Sequence, residues 1–477
     1  MWLVRHRRSF RRTRPPRLLP DRRGKGRRAG HLRLRVSGQD TGTRPRSVEQ
    51  RKLNGSNAMA ITASTHDLQA TRDWTPGHCL PQVLYQSDGI FRSDVQMLLD
   101  NQWLLVDHQS RIPNPGDYFL FEIGEESIIV LRSRSGVVNA FHNVCRHRGS
   151  RICLEPEGSK RILTCPYHAW SYDLDGRLRT AHLMPEDFDR TKTSLEPVNV
   201  GVFEGLIFLN AAATPPSFEE FVAPFHKLVR GQGVATAKVG ARKLYPTQAN
   251  WKLVVENFFE CYHCNTAHPT YCSVHDRMKM LAFGAGAGSG DDLAVQEYEE
   301  KLKIWQARSA SLGYPTGMFA DGPDTPFFRS GNRLPISDDS RTESVDGNPV
   351  APLMTAYGEF DGGQTGCVFN PVSTILVNND HAVIFRFTPR APQSTDVEAI
   401  WIVRGDARQG ADFRPEELMR VWDTTLREDK TITENNQKGV NSSAYRPGRY
   451  STQERRISEF ADWYMGRREQ RLEQSAA

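Results

Sequence analysis

An α+β architecture is what this 477-residue sequence predicts. Three observations carry it. A β-rich stretch with closely spaced turn signals occupies about 105–215. A helix-patterned segment follows at 250–269. An antiparallel meander and a second long helix then fill most of what remains.

Taken in order, residues 88–107 read as a short helix leading into an apolar strand. Segments 118–123, 127–132 and 137–143 read as strands, separated by Gly124-Glu125-Glu126 and Ser135-Gly136, and 205–210 closes the region. Ser217 and Glu220 are spaced as a capping box and open a helix. In 250–269, Trp251, Val254, Val255, Phe258 and Tyr262 recur at helical spacing and predict a buried stripe; Glu256, Asn257, Glu260 and His263 predict a polar one. Residues 283–366 read as a Gly/Ala/Ser/Asp run, one amphipathic helix near 293–308, and a Pro- and Asp-rich loop. Segments 372–377 and 381–387, joined by Asn378-Asn379-Asp380, form a meander with 397–403. Over 414–440, Pro415 suits a first helical turn, and Leu418, Val421, Trp422, Leu426 and Ile432 mark the buried face.

Composition bounds the class. Hydrophobic residues at 38% and charged ones at 25% suit a globular protein with a large core. No apolar run approaches the ~18 residues that span a bilayer. Eight scattered cysteines argue for metal ligands or free thiols in a reducing compartment rather than for a disulfide scaffold. Residues 1–58 hold 18 Lys+Arg against 3 Asp+Glu, a net of +15 where the whole chain has +6, so the remaining residues carry −9. That Arg-rich segment cannot build a core. A nucleic-acid arm and an organelle transit peptide are two readings of it. The reading preferred here is a disordered tail or upstream sequence preceding a true start at Met59, which leaves neither nucleic acid nor membrane as an expected partner.

The chemistry lies in three short stretches. FHNVCRHRGSRIC and LTCPYHAWSYDLDGRL supply Cys145-x-His147 and, after seventeen intervening residues, Cys165-x2-His168. Each loop gives one thiolate and one imidazole. Zinc fingers usually pair two cysteines first, so zinc is the weaker reading. Two cysteines on one iron and two histidines on the other is the ligand set of a Rieske [2Fe–2S] centre. The third stretch, NWKLVVENFFECYHCNTAHP, holds Glu260, His263 and His268. Two histidines and a remote carboxylate form the facial triad of non-haem Fe(II) oxygenases. Histidines five positions apart are about 140° apart on an ideal helix, so they converge only if the helix end loosens, for which Asn265 and Pro269 are suited. Asp429 falls inside the buried stripe of the late helix, where a carboxylate needs a partner or a metal. Asp423 beside the stripe reads as solvated, and Asp380 sits in a turn.

C-x-H-R-G, C-P-Y-H-x-W and N-W-K…E-C-Y-H-C…A-H-P, in this order, resemble the large (α) subunits of Rieske non-haem iron oxygenases over about 80–465. FHNVCRHRGSR, ENFFECYHCNTAHP and ENNQKGVNSSAYRPG are most similar to oxygenase components acting on glycine betaine, carnitine and related quaternary ammonium compounds. The resemblance implies an N-terminal helical segment of the catalytic domain at 59–104, an all-β Rieske domain at 105–215, and a catalytic domain at 216–477 whose antiparallel sheet wraps long helices in helix-grip fashion. It implies that Cys145, His147, Cys165 and His168 bind [2Fe–2S], and that His263, His268 and Asp429 bind mononuclear Fe(II). O2 is then the co-substrate, with NAD(P)H and flavin acting only through a partner flavin/iron–sulfur reductase. It further implies a cytoplasmic, head-to-tail homotrimer in which Glu260 connects the iron to the neighbouring subunit's cluster.

The expected reaction is oxidative N-demethylation of a small quaternary ammonium compound, with formaldehyde released. Phe258, Phe259, Phe369, Phe385, Phe387 and Tyr445 are candidate ring faces for the cation. An aromatic-ring-hydroxylating dioxygenase is the alternative enzyme reading. A plain iron–sulfur electron carrier is the non-enzymatic one, and it has no need of the iron triad.

Overall fold

The computed structural model describes residues 72–275, 292–337 and 339–476. Segment 1–58 and most of the Gly/Ala/Ser/Asp run lie outside them. The architecture is α+β. A seven-stranded sheet has the spatial order Leu104–His108, Leu206–Asn210, Pro197–Phe203, Val138–His142, Glu126–Arg132, Asp117–Ile123 and Glu157–Ser159. A three-stranded sheet of Leu163–Thr164, Ser171–Tyr172 and Leu178–Thr180 lies in the same stretch of chain.

The second seven-stranded sheet runs Lys238–Thr247, Ser394–Val403, His381–Ala391, Ser373–Val377, Gly363–Asn370, Ser330–Pro335 and Gly317–Ala320, antiparallel throughout. Its central strands are buried on both faces, and alternation divides their side chains. Val383, Phe385 and Phe387, with Val397, Ala399 and Trp401, join the core shared with the helices Trp251–Phe258 and Arg420–Val440. Ala382, Ile384, Ile400 and Ile402 join a second core with Phe208, Phe221 and Phe225. Two strands absent from the sequence reading, Gly317–Ala320 and Ser330–Pro335, replace part of the Pro- and Asp-rich loop. The strands Lys238–Thr247 and Gly363–Asn370 and the terminal helix Arg455–Ala476 were likewise not anticipated.

The N-W-K triplet anchors the central helix. Asn250 caps it, accepting from the Lys252 N–H at 3.0 Å, while its amide donates to Tyr85 and Pro392 carbonyls. Trp251 is fully buried and donates to Asp94. Lys252, also fully buried, meets the same carboxylate at 2.6 Å, and Tyr464 donates to it as well. A buried lysine requires such pairing. One aspartate thus fixes the central helix against Asp88–Asn101, on which it lies, and against the terminal helix.

A second buried network joins the two large sheets. Asp107 receives Arg111 at 2.6 Å and Arg242 at 2.7 Å, and Arg242 also meets Glu398.

The central segment is not one helix. Trp251–Phe258 stops before His263, and the chain resumes as Cys264–Ala267 and Pro269–Val274. The Glu260 carboxylate accepts the N–H groups of Tyr262 and His263, diverting donors that a continuing helix would use. A Cys261–Cys264 disulfide spans the turn, against the expectation of metal-bound or free thiols; the other six cysteines are free. Tyr262, expected in the buried stripe, is 58% exposed. The late helix breaks similarly at Met419, giving Pro415–Leu418 and Arg420–Val440.

Candidate metal centres

Two loops of matched construction carry the first centre. The Cys145 carbonyl accepts from Gly149 N–H, and Cys145 N–H donates to Ser150 O. Cys165 repeats this with Ala169 and Trp170. Both turns need a residue in the left-handed region. Gly149 (φ 75°) adopts it freely, while Ala169 (φ 58°) is one of three non-glycine residues with positive φ among those described. The two cysteines are buried and the two histidines exposed, with ring centroids 4.6 Å apart. His147 stacks on the buried Trp170 at 4.7 Å. The Tyr172 hydroxyl accepts from Arg146 N–H and lies 3.3 Å from Cys145 Sγ.

A single zinc ion would draw four ligand atoms within about 4 Å of one another. Among the described residues, the only cluster of three or more candidate ligands that compact is a different one. Sulfur donors inside and imidazoles outside, spread wider than one ion, suit a two-iron cluster held by Cys145, Cys165, His147 and His168.

That compact cluster is His263, His268 and Asp429. His263 Nε2 lies 3.0 Å from His268 Nε2, and Asp429 Oδ1 lies 2.9 Å from the latter and 3.4 Å from the former. One face of an octahedron with bonds of about 2.1 Å has edges near 3 Å, so the triangle is of the size a metal ion requires. The helix break makes this possible, because the turn at 259–263 replaces the 140° separation.

Each histidine is held from behind by a carboxylate. Glu260 meets His263 Nδ1, and Glu428 meets His268 Nδ1 at 2.8 Å. This fixes the tautomer that turns Nε2 toward a metal. Burial disfavours a charged His263, but Asp429 and Glu260 outweigh it and raise its pKa to about 9. His268 is raised in the same way, against its burial, by Asp429 and Glu428. Burial pushes the Asp429 carboxyl up, and the two imidazoles more than reverse this. The pocket is therefore anionic enough to hold protons when no cation is present, which is the electrostatics of a dication site.

Asp423, which the sequence marked as solvated, is instead paired with Lys243 and Arg427 and accepts from Tyr245. Asp380 is buried against His381 and Thr342, away from the cluster. Glu428 was missed. It adjoins Asp429, but neighbouring helix positions point about 100° apart, so spacing gave no hint that both reach one imidazole. Asn257, assigned to the polar stripe, has its amide 3.4 Å from His263 Nε2.

A cavity opens beside Asp429. Phe258, Phe387, Val254, Val397 and Leu426 form its apolar walls, and Thr247, Asn257, Lys430 and Thr433 its polar points. Phe385 and Trp422 pack behind Phe258. Of the other candidate ring faces, Phe369 lies in the second core, Phe259 packs on Phe328 and Phe460, and Tyr445 donates to Leu80 O.

Fold and site together define an oxygenase with two iron centres, a Rieske cluster and a mononuclear iron. The comparisons agree. Residues 102–195 match the Rieske [2Fe-2S] domain, and 234–470 the ring hydroxylating alpha subunit catalytic domain. The chain is 36% identical over 429 residues to the glycine betaine monooxygenase oxygenase subunit of Chromohalobacter salexigens, covering 88% of this chain and 94% of that protein. To the protein of the same description from Pseudomonas aeruginosa it is 34% identical over 416 residues, 85% of this chain and 92% of that one. A crystal structure of the quaternary ammonium Rieske monooxygenase CntA superposes with a TM-score of 0.62 at 21% identity, covering 84% and 98% of the two chains.

The chain belongs to the Rieske oxygenase family with ring-hydroxylating alpha-subunit catalytic domains. It is an oxidoreductase that uses a [2Fe–2S] cluster, mononuclear iron, O2 and reductase-supplied electrons on a small-molecule substrate. Among the described residues, no helix is long and apolar enough to cross a membrane.

Proposed function

We propose that this chain is the oxygenase component of a quaternary ammonium N-demethylase, with glycine betaine as the substrate its relatives suggest. The observation that carries the reading is the 36% identity to a glycine betaine monooxygenase oxygenase subunit, over 94% of that protein's length. The rings of Phe258 and Phe387, in mutual contact at 4.8 Å, wall the cavity beside Asp429. When bound, the cluster supplies electrons one at a time and the iron supplies O2 activation.

The chain's own residues do the rest. His263, His268 and Asp429 hold the iron; Cys145, His147, Cys165 and His168 hold the cluster; the apolar walls exclude water around the N-methyl group. One N-methyl, O2, two electrons and two protons give N-hydroxymethyl and water, and the hydroxymethyl group leaves as formaldehyde.

Glu260 serves as the electron bridge to a neighbouring subunit's cluster in a homotrimer. In support, its carboxylate contacts the proposed ligand His263 and the exposed Tyr262 stands beside it. The partner is a flavin/iron–sulfur reductase, and the compartment is the cytoplasm. The working domains are 59–104 with 216–477 for catalysis and 105–215 for the cluster, with 1–58 dispensable.

A ring-hydroxylating dioxygenase activity is not favoured by the relatives' descriptions. The test is NADH and O2 consumption with a generic reductase, with formaldehyde assayed. One formaldehyde per substrate-dependent O2 is expected, and a cis-diol from an arene without formaldehyde from any quaternary amine would refute the reading.

A further inference from the structure

The irregular stretch 339–348 carries one buried carboxylate that the chemistry above does not use. The Glu343 side chain has no exposed surface. His275 Nε2 lies 2.9 Å from one of its oxygens. The other accepts from Trp422 Nε1 at 2.8 Å and, at 3.4 Å, from the Asn378 amide. Burial alone would push this carboxyl up, but the bond to His275 and the charge there hold it down at about 2, so it is ionised.

The segment that delivers Glu343 is itself pinned. Asp380, in the turn of the meander, accepts the N–H groups of Val350 and Ala351 at 2.9 and 3.2 Å and the Thr342 hydroxyl. The chain on both sides of Glu343 is therefore tied to the sheet through one aspartate.

His275 and Trp422 belong to the two elements that carry proposed iron ligands. The helix Pro269–Val274 has His268 as its N-terminal cap and His275 as its C-terminal cap. Trp422 precedes Asp429 by seven residues on the helix Arg420–Val440. Seven residues make two turns, so the two side chains share a face about 10 Å apart along the axis. The circuit His268–His275–Glu343–Trp422–Asp429 closes on the carboxylate at one end and on the ligand triangle at the other. Tyr271 packs against both donors, its ring 4.2 Å from His275 and 5.4 Å from Trp422. Apolar packing at this end is small, with Val274, Ile336 and Val421 as its buried members. Such contacts are non-directional, whereas hydrogen bonds to a carboxylate fix distance and angle.

We propose that Glu343 is a positioning residue for the iron site: it braces the His268 helix against the Asp429 helix and so sets the spacing of these two ligands. The inference rests on the assignment of His268 and Asp429 as iron ligands.

The experiment uses the full chain with its cluster in place and the mononuclear iron removed by a chelator. Fe(II) is titrated back anaerobically, and nitric oxide is added as an EPR probe of the rebound iron. Glu343→Gln keeps size and an acceptor but loses the charge. Trp422→Phe keeps the Glu343–His275 pair and cuts only the tie to the Asp429 helix. Each should raise the Fe(II) Kd ~10-fold, the lower end of the range for losing support behind metal ligands. Each should also shift the nitrosyl–iron EPR signal, because the ligand triangle changes shape, while the Rieske signal stays wild-type. Trp422→Phe leaves no buried charge unpaired, so it decides the matter if Glu343→Gln fails to fold.

A wild-type Kd and nitrosyl signal in Trp422→Phe, whatever Glu343→Gln does, would overturn the brace and leave Glu343 a residue of fold stability alone. Asp429→Ala is the separate control and should abolish Fe(II) rebinding. Wild-type rebinding in that variant would overturn the ligand assignment, and the brace with it.

Discussion

At the two cluster loops the cysteines are buried and the histidines project outward, and no acidic side chain hydrogen-bonds to His147 or His168 among the described residues. At the iron loop the arrangement is reversed. His268 is buried, His263 partly exposed, and three carboxylates surround the pair: Asp429 in front, Glu260 and Glu428 behind. Thiolates bring their own negative charge to a metal, so the histidines of the proposed cluster site need no acidic support, and both stay exposed. A site with only one anionic ligand must borrow charge from its surroundings to hold a dication, and the carboxylates behind each imidazole supply it. The two proposed iron sites thus carry opposite electrostatic signatures in one chain.

The sharpest way to break this contrast is to remove one ligand from each centre. Cys145→Ser should abolish brown colour, labile sulfide and activity while leaving the iron ligands in place. Asp429→Ala should abolish activity while keeping the colour and the Rieske EPR signal, with mononuclear iron lost by metal analysis. Loss of both metals in either variant would mean that the centres do not fold independently.

A smaller effect separates holding from connecting. Glu260→Gln keeps size and hydrogen bonding but loses charge. It should retain cluster and most mononuclear iron, yet slow cluster oxidation in a single turnover with O2 and substrate by ~10–100-fold, the range for losing a charged hydrogen bond. Wild-type oxidation rates would remove the bridge, and iron loss would make Glu260 a ligand. The smallest effect belongs to Glu428→Gln, which weakens support for His268 without touching the metal. Iron retention against a chelator should fall ~10-fold, with the cluster unaffected. An unchanged chelation curve would mean that Glu428, 32% exposed, contributes only at the surface.

Much of this was legible in the chain. Cys-x-His and Cys-x2-His name a cluster by donor type and spacing alone, because the ligands of each loop are local and the turn at Gly149 is written in one glycine. Strands such as Glu126–Arg132 and Ser373–Val377 followed from residue type and turn signals. Asp429 was picked out as a carboxylate in an apolar stripe, which is also a local contradiction. What failed was local too, but in the opposite sense. The pattern of 250–269 predicted a helix that loosens near Asn265 and Pro269, whereas it already ends at Phe258, where the Glu260 carboxylate captures backbone donors.

The sequence by itself determined which atoms are available: two thiols and two imidazoles on matched loops, and two imidazoles and a carboxylate far apart in the chain. Only the tertiary structure decided how they meet. Glu428 and Asp429 approach opposite edges of one imidazole from a helix 160 residues away. Donor chemistry is a property of residues and can be read one at a time. Convergence is a property of packing, and no spacing rule encodes it.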